Sequence, residues 1–408
     1  MRSLFPVCRS ITGNGVRQTL DVLSAHIPLE RREVPTGTRV YDWTVPKEWN
    51  IRDAYVRRPG GPRLIDFRAS NLHVLNYSVP VERTVSLAEL KEHLFTLPEH
   101  PDWVPYKTSY YSETWGFCIS ESTLRSFEEG DYEVRIDSTL SNGHLTYGEC
   151  FLPGESADEV LISTHVCHPS LANDNLSGIC TATLLARQLA RKKRRYSYRF
   201  LFVPGIIGSI TWLSFNIGTV SRIRHGMVLA GVGDGGPFTY KKSRRGDTEI
   251  DRLVPHVLAS RNRPYSVRDF SPYGYDERQY CSPGFDLPVG GLSRTPYAEY
   301  PQYHTSADNL GFVTEETLAE SYSVIAEICE TLEANRTYRN LNPMGEPQLG
   351  RRGLYDGFGP GQLAMLWVLS LTDGHATLLD ISVRSGLAFP SVRDAAAVLV
   401  RAGLLAPA

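Results

Sequence analysis

The sequence predicts an α/β fold, a mostly parallel sheet flanked by helices, with a small β-rich inserted domain and a C-terminal winged helix. Three observations predict it. Apolar runs of strand length, Val160-Leu161-Ile162, Arg199 to Val203 and Met227 to Val232, alternate with helical patterns, which implies a parallel sheet covered on both faces. From about Val34 to Ser120 the texture changes to short β-like runs broken by turn residues. Beyond a linker-like stretch, Asn340 to Pro347, three short helical segments suit a winged-helix or helix-turn-helix unit. The expected boundaries are 1–33 with 121–340 for the sheet domain, 34–120 for the insert and 348–408 for the winged helix.

In chain order, Val16, Leu20, Leu23 and Ile27 recur at helical spacing, and Pro28 ends that helix. The insert holds the β-like runs Val40 to Trp43, Arg63 to Phe67 and Tyr110 to Phe117, with one helical segment from Ser86 to Phe95. Its Trp43, Trp49 and Trp115 are expected to form a core. Tyr110 and Tyr111 offer a substrate broad apolar faces with a polar tip, but neighbours on a strand point to opposite faces, so at most one should meet a ligand. Tyr132 to Leu140 and Leu145 to Leu152 alternate around Asn142-Gly143, a hairpin signal because both residues tolerate positive φ, and the hairpin should return the chain to the main sheet.

A helix from Leu176 to Arg191 buries Ile179, Ala182, Ala186 and Leu189; the basic run Arg191 to Arg195 complements its dipole and faces solvent. Phe200 to Ile217 is the most membrane-like run, yet Pro204, Gly205, Gly208, Ser209 and Asn216 fit a strand, a turn and a buried helix better than a span. The helix from Glu315 to Leu332, with acids in its first turn, closes the domain.

A formal net charge of −2 gives no global reason to expect nucleic acid or an anionic membrane as partner. Residues 351–408 hold five Arg against four Asp, with no Lys or Glu, so the winged helix is expected to dock or dimerise rather than bind DNA. The expected partner is a small-molecule or peptide-like substrate, with no nucleic acid and no membrane; a homo-oligomer is compatible with this. Seven cysteines without paired spacing indicate reduced thiols, and Met1 to Ser10 lack the apolar core of a signal peptide, so the expected location is the cytoplasm.

The chain is organised around Ser163 to Gly178, a loop between a buried strand and a helix, where open α/β sheets place their ligands. His165 and Asp174 in this loop suit zinc, since imidazole nitrogen and carboxylate oxygen are both accepted ligands and a carboxylate can bridge two ions. Two later segments add to them: Asp234 ends the apolar run from Met227, and His304 lies shortly before a long helix. Cys167 is expected to pack as a small hydrophobe, and His168 to orient the loop through an outer hydrogen bond.

The order His165, Asp174-Asn175-Leu176-Ser177-Gly178, Asp234, His304 resembles the co-catalytic zinc aminopeptidases, whose superfamily includes the glutaminyl cyclases. The phrases Asp42-Trp43-Thr44-Val45-Pro46-Lys47-Glu48-Trp49, Cys167-His168-Pro169-Ser170 and Asp276-Glu277-Arg278-Gln279 look like a bacterial branch in which an aminopeptidase-like domain carries a small insert and a C-terminal winged helix. The resemblance covers nearly the whole chain. It implies one or two zinc ions, with His165 and Asp234 holding one metal, His304 the other, and Asp174 bridging. It also implies adjacent glutamates after the second site strand, one a base and one a ligand, and in the nearer branch a glutamate in a Pro-Glu-Thr phrase. This chain has Val203-Pro204-Gly205-Ile206-Ile207 there, and none of these can accept a proton or bind zinc.

Glu277 or Asp276, in a loop edging the site, could supply the missing carboxylate. Glu299 is a further candidate ligand from its position before His304. Arg244, Arg245 and Arg278 could grip a substrate carboxylate, or simply pair with surface acids. Three readings follow: an altered zinc-dependent hydrolase of an amide or peptide bond; an acyl-transfer or cyclisation enzyme of a biosynthetic pathway; and a non-catalytic metal- or ligand-binding protein.

Overall fold

At the centre lie two strands, Glu159–His165 and Ser197–Val203, in which every residue is buried. Such near-continuous apolar runs are what a parallel strand covered on both faces requires. The computed structural model describes residues 1–355 and 360–408. It divides into two units, Met1–Asp251 with Pro264–Ser323, and Arg252–Arg263 with Val324–Ala408.

In the first unit an eight-stranded sheet runs in the order Glu30–Pro35, His144–Leu152, Ser197–Val203, Glu159–His165, Ile223–Leu229, Val289–Ser293, Phe238–Lys241, Tyr265–Arg268. Its four middle strands, Ser197–Val203 to Val289–Ser293, are parallel; they are flanked on both sides by antiparallel pairings, and the last pair, Phe238–Lys241 with Tyr265–Arg268, is parallel again. Arg199, the charge inside a buried strand, is matched by Glu159 Oε2 at 2.6 Å and by Glu149, which also accepts from Trp212 Nε1 at 3.0 Å. The helix Asn14–Ser24 buries Val16, Leu20 and Leu23, as its spacing predicts, and Gly178–Leu189 and Glu315–Ala334 fall where helices are expected. The helix Glu249–Ser260 was hidden by Pro255 within its pattern.

A second, antiparallel sheet of four strands runs in the order Arg63–Asp66, Glu48–Arg57, Asp131–Ser141, Val81–Ser86. Strand pairing therefore carries this sheet past residue 120 to Ser141. The expected hairpin divides: Asp131–Ser141 stays here while His144–Leu152 joins the large sheet. Neither Asn142 nor Gly143 has a positive φ, so the tight turn that would pair the two arms is not formed. The helix expected over 86–95 shrinks to Leu87–Lys91, because Leu94–Phe95 pairs with Phe117–Cys118 instead. Trp49 and Trp115 are core, but Trp43 is 39% exposed and is not.

The second unit holds three antiparallel strands, ordered Asp373–Thr377, Thr337–Asn340, Leu405–Pro407, and the three expected helices, Pro360–Leu371, Leu378–Ser385 and Phe389–Arg401. Because Thr337–Asn340 already belongs to this sheet, the stretch Asn340 to Pro347 lies inside the unit instead of linking it to what precedes. Of the expected 348–408 unit, residues 356–359 lie outside the described residues. Among the described residues no helix is long and apolar enough to cross a membrane, and all seven cysteines are free.

The first helix is tied to the second sheet by Arg17, which donates to both carboxylate oxygens of Glu48 at 2.7 Å, while the His144 N–H donates to Glu48 Oε2 at 2.9 Å. The Arg17 hydrogen bonds, against the opposing effect of burial, lower Glu48 from 4.5 to about 2. A depressed acid contributes stability above its unfolded value and loses it as pH falls through the folded one. Denaturant unfolding at about pH 6 and about pH 3 should therefore show a larger drop in stability for the wild type than for Arg17→Met. Equal drops would remove this tie from the account.

Candidate metal centre

His165 is the last residue of a fully buried strand, and the irregular turn Ala172–Ser177 that follows the loop presents Asp174, which has no exposure. The turn takes its shape from side chains of its own and of later segments. Asp308 accepts the backbone N–H groups of Asn173 at 2.6 Å and Asp174 at 2.9 Å. Asn175 donates to Thr164 Oγ1 at 2.7 Å and to Leu229 O at 3.0 Å, and Asn173 accepts from the N–H groups of Gly233 and Asp234 at 2.7 and 3.1 Å.

Three imidazoles meet around the Asp174 carboxylate. His165 Nε2 is 2.8 Å from Oδ1, His304 Nε2 is 2.9 Å from Oδ2, and His168 Nδ1 is 3.8 Å from Oδ1 with no hydrogen-bond partner of its own. The Tyr275 hydroxyl donates to Asp174 Oδ1 at 3.3 Å while its ring stacks on His165, and Tyr303 stacks on His304. Burial acts to raise Asp174, but the surrounding His168, His165 and His304 outweigh it and hold the carboxyl well below its usual range. Burial drives His168 well below the ordinary imidazole value, so its ring is neutral, with a lone pair to offer, at neutral pH. Ligand atoms of His165, His168 and Asp174 all lie within 4.8 Å of one another.

His165 and His168, with Tyr275 and Tyr303, form one wall of a cavity of about 280 Å³. Trp43, Tyr110 and Tyr111 line it, as do Gly205, Ile206, Asp276 and Arg278. Ile206 has φ 67° and ψ −63°, and the Ile207 N–H donates to Gly205 O at 3.0 Å, a tight γ-turn of the rare, strained hand. Asp276 holds it: Oδ1 accepts from Ile206 N–H and from Ser209 Oγ, both at 2.7 Å, while Oδ2 is buried without a partner. Burial raises the Asp276 carboxyl, partly offset by the Ser209 hydrogen bond. A Cβ at Gly205 would meet only Cys167 Sγ at 3.4 Å and His165 Cβ at 3.7 Å, ordinary contacts, so a side chain has room there.

Several expectations are corrected. Asp234 does not join the cluster: Oδ2 accepts from Asn173 Nδ2 at 3.0 Å and Oδ1 from Thr295 Oγ1 and Gly236 N–H, both at 2.7 Å, which turns the carboxylate into a strut. His168, expected to act from outside, has a ring nitrogen within 4.8 Å of the ligand atoms of His165 and Asp174. Glu277 is paired with Lys241 at 2.7 Å in a neighbouring cavity of about 160 Å³ and does not reach the histidines' cavity, whereas Asp276 does. Arg244, with Arg245, pairs with Asp286 and does not line the cavity; Arg278 does, with Nε buried and unpartnered. Glu299 is engaged by Arg268. Tyr110 and Tyr111 both line the cavity, since Tyr111 has φ 65° and the pair sits in a turn, where strand alternation does not apply. Trp43 is a cavity wall, in edge contact with Tyr111. Tyr275 and Asp308 were missed, although each lies within four residues of a residue or phrase already singled out.

Comparison with known proteins places this geometry in context. Residues 1–335 match the family described as a domain of unknown function, DUF4910, and residues 336–407 match a winged helix-turn-helix. A Clostridium acetobutylicum protein named for polysaccharide biosynthesis and an aminopeptidase-like domain is 52% identical over 411 residues, covering 99% of this chain and 94% of that protein. A crystal structure from Clostridium acetobutylicum, named as a peptidase, is 51% identical, with a TM-score of 0.97 over 100% of this chain and 94% of that one. A zinc aminopeptidase from Bacillus subtilis shares the fold at 12% identity, with a TM-score of 0.57 over 80% of this chain and 90% of that one. The fold and the resemblance expected from the motifs are thereby borne out.

The strut role of Asp234 can be tested by stability alone. Asp234→Ala strands Asn173 Nδ2, Thr295 Oγ1 and the Gly236 N–H, and should cost about 1–3 kcal/mol in urea unfolding. A neutral result would mean that those donors find other partners.

Proposed function

The chain belongs to the DUF4910 family, on an aminopeptidase-like fold, and from that premise we propose that it is a zinc-dependent enzyme acting on an amide bond of a small or peptide-like substrate. The observation that supports this is the meeting of His165, His168 and His304 on the buried carboxylate of Asp174 beside an aromatic-walled cavity. The donors fit the ion: nitrogen and oxygen ligands suit zinc, and His168 Nδ1 is an orphan that a cation would satisfy. With Asp234 turned away and no glutamate at 205, His165, His168 and Asp174, with His304 on the far oxygen, suit a single ion. When bound, zinc supplies a Lewis acid and acidifies a water.

The chain's own residues do the rest. Trp43, Tyr110 and Tyr111 shield the site and receive the apolar part of the substrate. Arg278, whose Nε has no partner, takes a carboxylate. Asp276 Oδ2 accepts the proton of the attacking group, and the burial that raises its affinity for protons makes it a better base near neutral pH. The catalytic carboxylate is thus Asp276, and Glu277 is a loop anchor.

A second reading, acyl transfer or cyclisation in a biosynthetic pathway, is favoured by Gly205. Where the family pattern implies a glutamate to activate water, this chain has a glycine on the cavity wall, and a neutral amine, a stronger nucleophile than water, can attack without being deprotonated first. The clostridial relative's name, for polysaccharide biosynthesis, agrees with this. Although the winged-helix fold serves DNA recognition elsewhere, Arg393 on the helix Phe389–Arg401 is paired with Asp394, so we read the unit as a docking element. Seven free thiols suit the cytoplasm.

The purified protein should carry zinc by elemental analysis, and His165→Ala and Asp174→Asn should lose it. On a panel of aminoacyl anilides, dipeptides and acyl donors with added amines, Asp276→Asn should slow turnover about 10²- to 10⁴-fold. Gly205→Glu should shift the balance from transfer toward hydrolysis. Absence of zinc would overturn the metal reading; full activity in Asp276→Asn would remove Asp276 as the base.

A further inference from the structure

Arg9 is 1% exposed and among the largest fully buried side chains, yet among the described residues no carboxylate is paired with it. Its Nε donates to His168 O at 2.8 Å and Nη1 to Leu4 O at 2.7 Å, while Nη2 has no partner. Burial lowers its pKa only to about 10, so it stays charged at neutral pH. A buried charge without an anion is costly, and stability alone is served as well by an apolar residue of that size.

What the guanidinium reaches is the loop that carries His168. Ser170, two residues on, has φ 40°, a left-handed conformation unusual outside glycine, and its Oγ donates to Phe5 O at 2.8 Å. Strain of this kind persists where surrounding bonds over-determine it. The segment supplying both bonds is itself fixed, because Asn76 Nδ2 donates to Arg9 O at 2.9 Å and Ser10 Oγ donates to Asn76 Oδ1 at 2.6 Å. His168 Nδ1 makes no hydrogen bond, so the ring's aim depends on its backbone and on ring contacts with Tyr106, His165 and His304.

We propose that Arg9 is a positioning residue for the metal centre: from the N-terminal segment it clamps the His168 carbonyl and so points that imidazole at Asp174. This rests on the zinc reading above, and the test separates the two. Zinc affinity is measured by competition with a chromophoric chelator for the full chain, Arg9→Met, His168→Ala and the double variant. Arg9→Met should weaken zinc about tenfold or more, the usual cost of losing a group that orients a ligand. The double variant should bind no more weakly than His168→Ala alone, since Arg9 acts through that ring. Arg9→Lys, which keeps the charge and loses the planar fork, should behave as Arg9→Met. Unchanged affinity in Arg9→Met, or losses that add to those of His168→Ala, would overturn the proposal. If Arg9→Met does not fold, Ser170→Ala removes the loop's other tie and must show the same non-additivity. Zinc missing from the wild type would instead sink the metal reading itself.

Discussion

A carboxylate removed from water persists only where donors or cations surround it, and Asp174, with no exposed surface, is the group on which this structure turns. Three segments distant in sequence contribute to the shell: the strand end and following loop with His165 and His168, the loop with Tyr275, and the stretch with His304. The four parallel strands matter to this because they end together, which brings the loops to one place. An apolar core could form without the cluster, but the cluster could not form without that common edge.

The polar residues around it divide into those that face the cavity and those that hold the loop. Asn173 is the hinge of the second group, accepting from Gly233 and Asp234 N–H and donating to the Asp234 carboxylate. Asp308 belongs there too: burial pushes its carboxyl up to about 7 against the pull of the Asn173 and Asp174 N–H groups it accepts. Both aspartates lend their oxygens to backbone and side-chain donors that hold the loop in shape.

This is also where the sequence was legible and where it was not. Apolar runs and helical spacing revealed the central strands and the flanking helices, since burial on both faces leaves an unmistakable composition. The convergence of His165, Asp174 and His304 was readable from motif order. Whether an aspartate points inward or accepts hydrogen bonds from neighbouring loops is decided by partners brought from about sixty residues away, as Asp234 shows with Thr295 and Asn173, and no local pattern records that. Tyr111 was misplaced for a local reason: a positive φ at a tyrosine cancels the alternation assumed for a strand. The second sheet ran on to Ser141 because long-range pairing, invisible in composition, placed one arm of the apparent hairpin between Glu48–Arg57 and Val81–Ser86.

The segment at Gly205 and Asp276 line the same cavity and are bonded to each other. The γ-turn at Ile206 carries strain of about 1–3 kcal/mol and is maintained by the Ile206 N–H and the Ser209 hydroxyl, both directed at one oxygen of Asp276. That arrangement fixes the carboxylate on one side and leaves Oδ2 unpaired on the other. A glutamate at 205 would stand beside His165 and Cys167, on the strand side of the cavity, whereas Asp276 comes from the loop that also carries Tyr275 and Arg278. If Asp276 is the base, proton acceptance and substrate grip reside on a single loop, anchored by Lys241 bonded to Tyr273 O and Glu277. Selection for a particular substrate would then act on that loop, while the strand-end histidines stayed as they are.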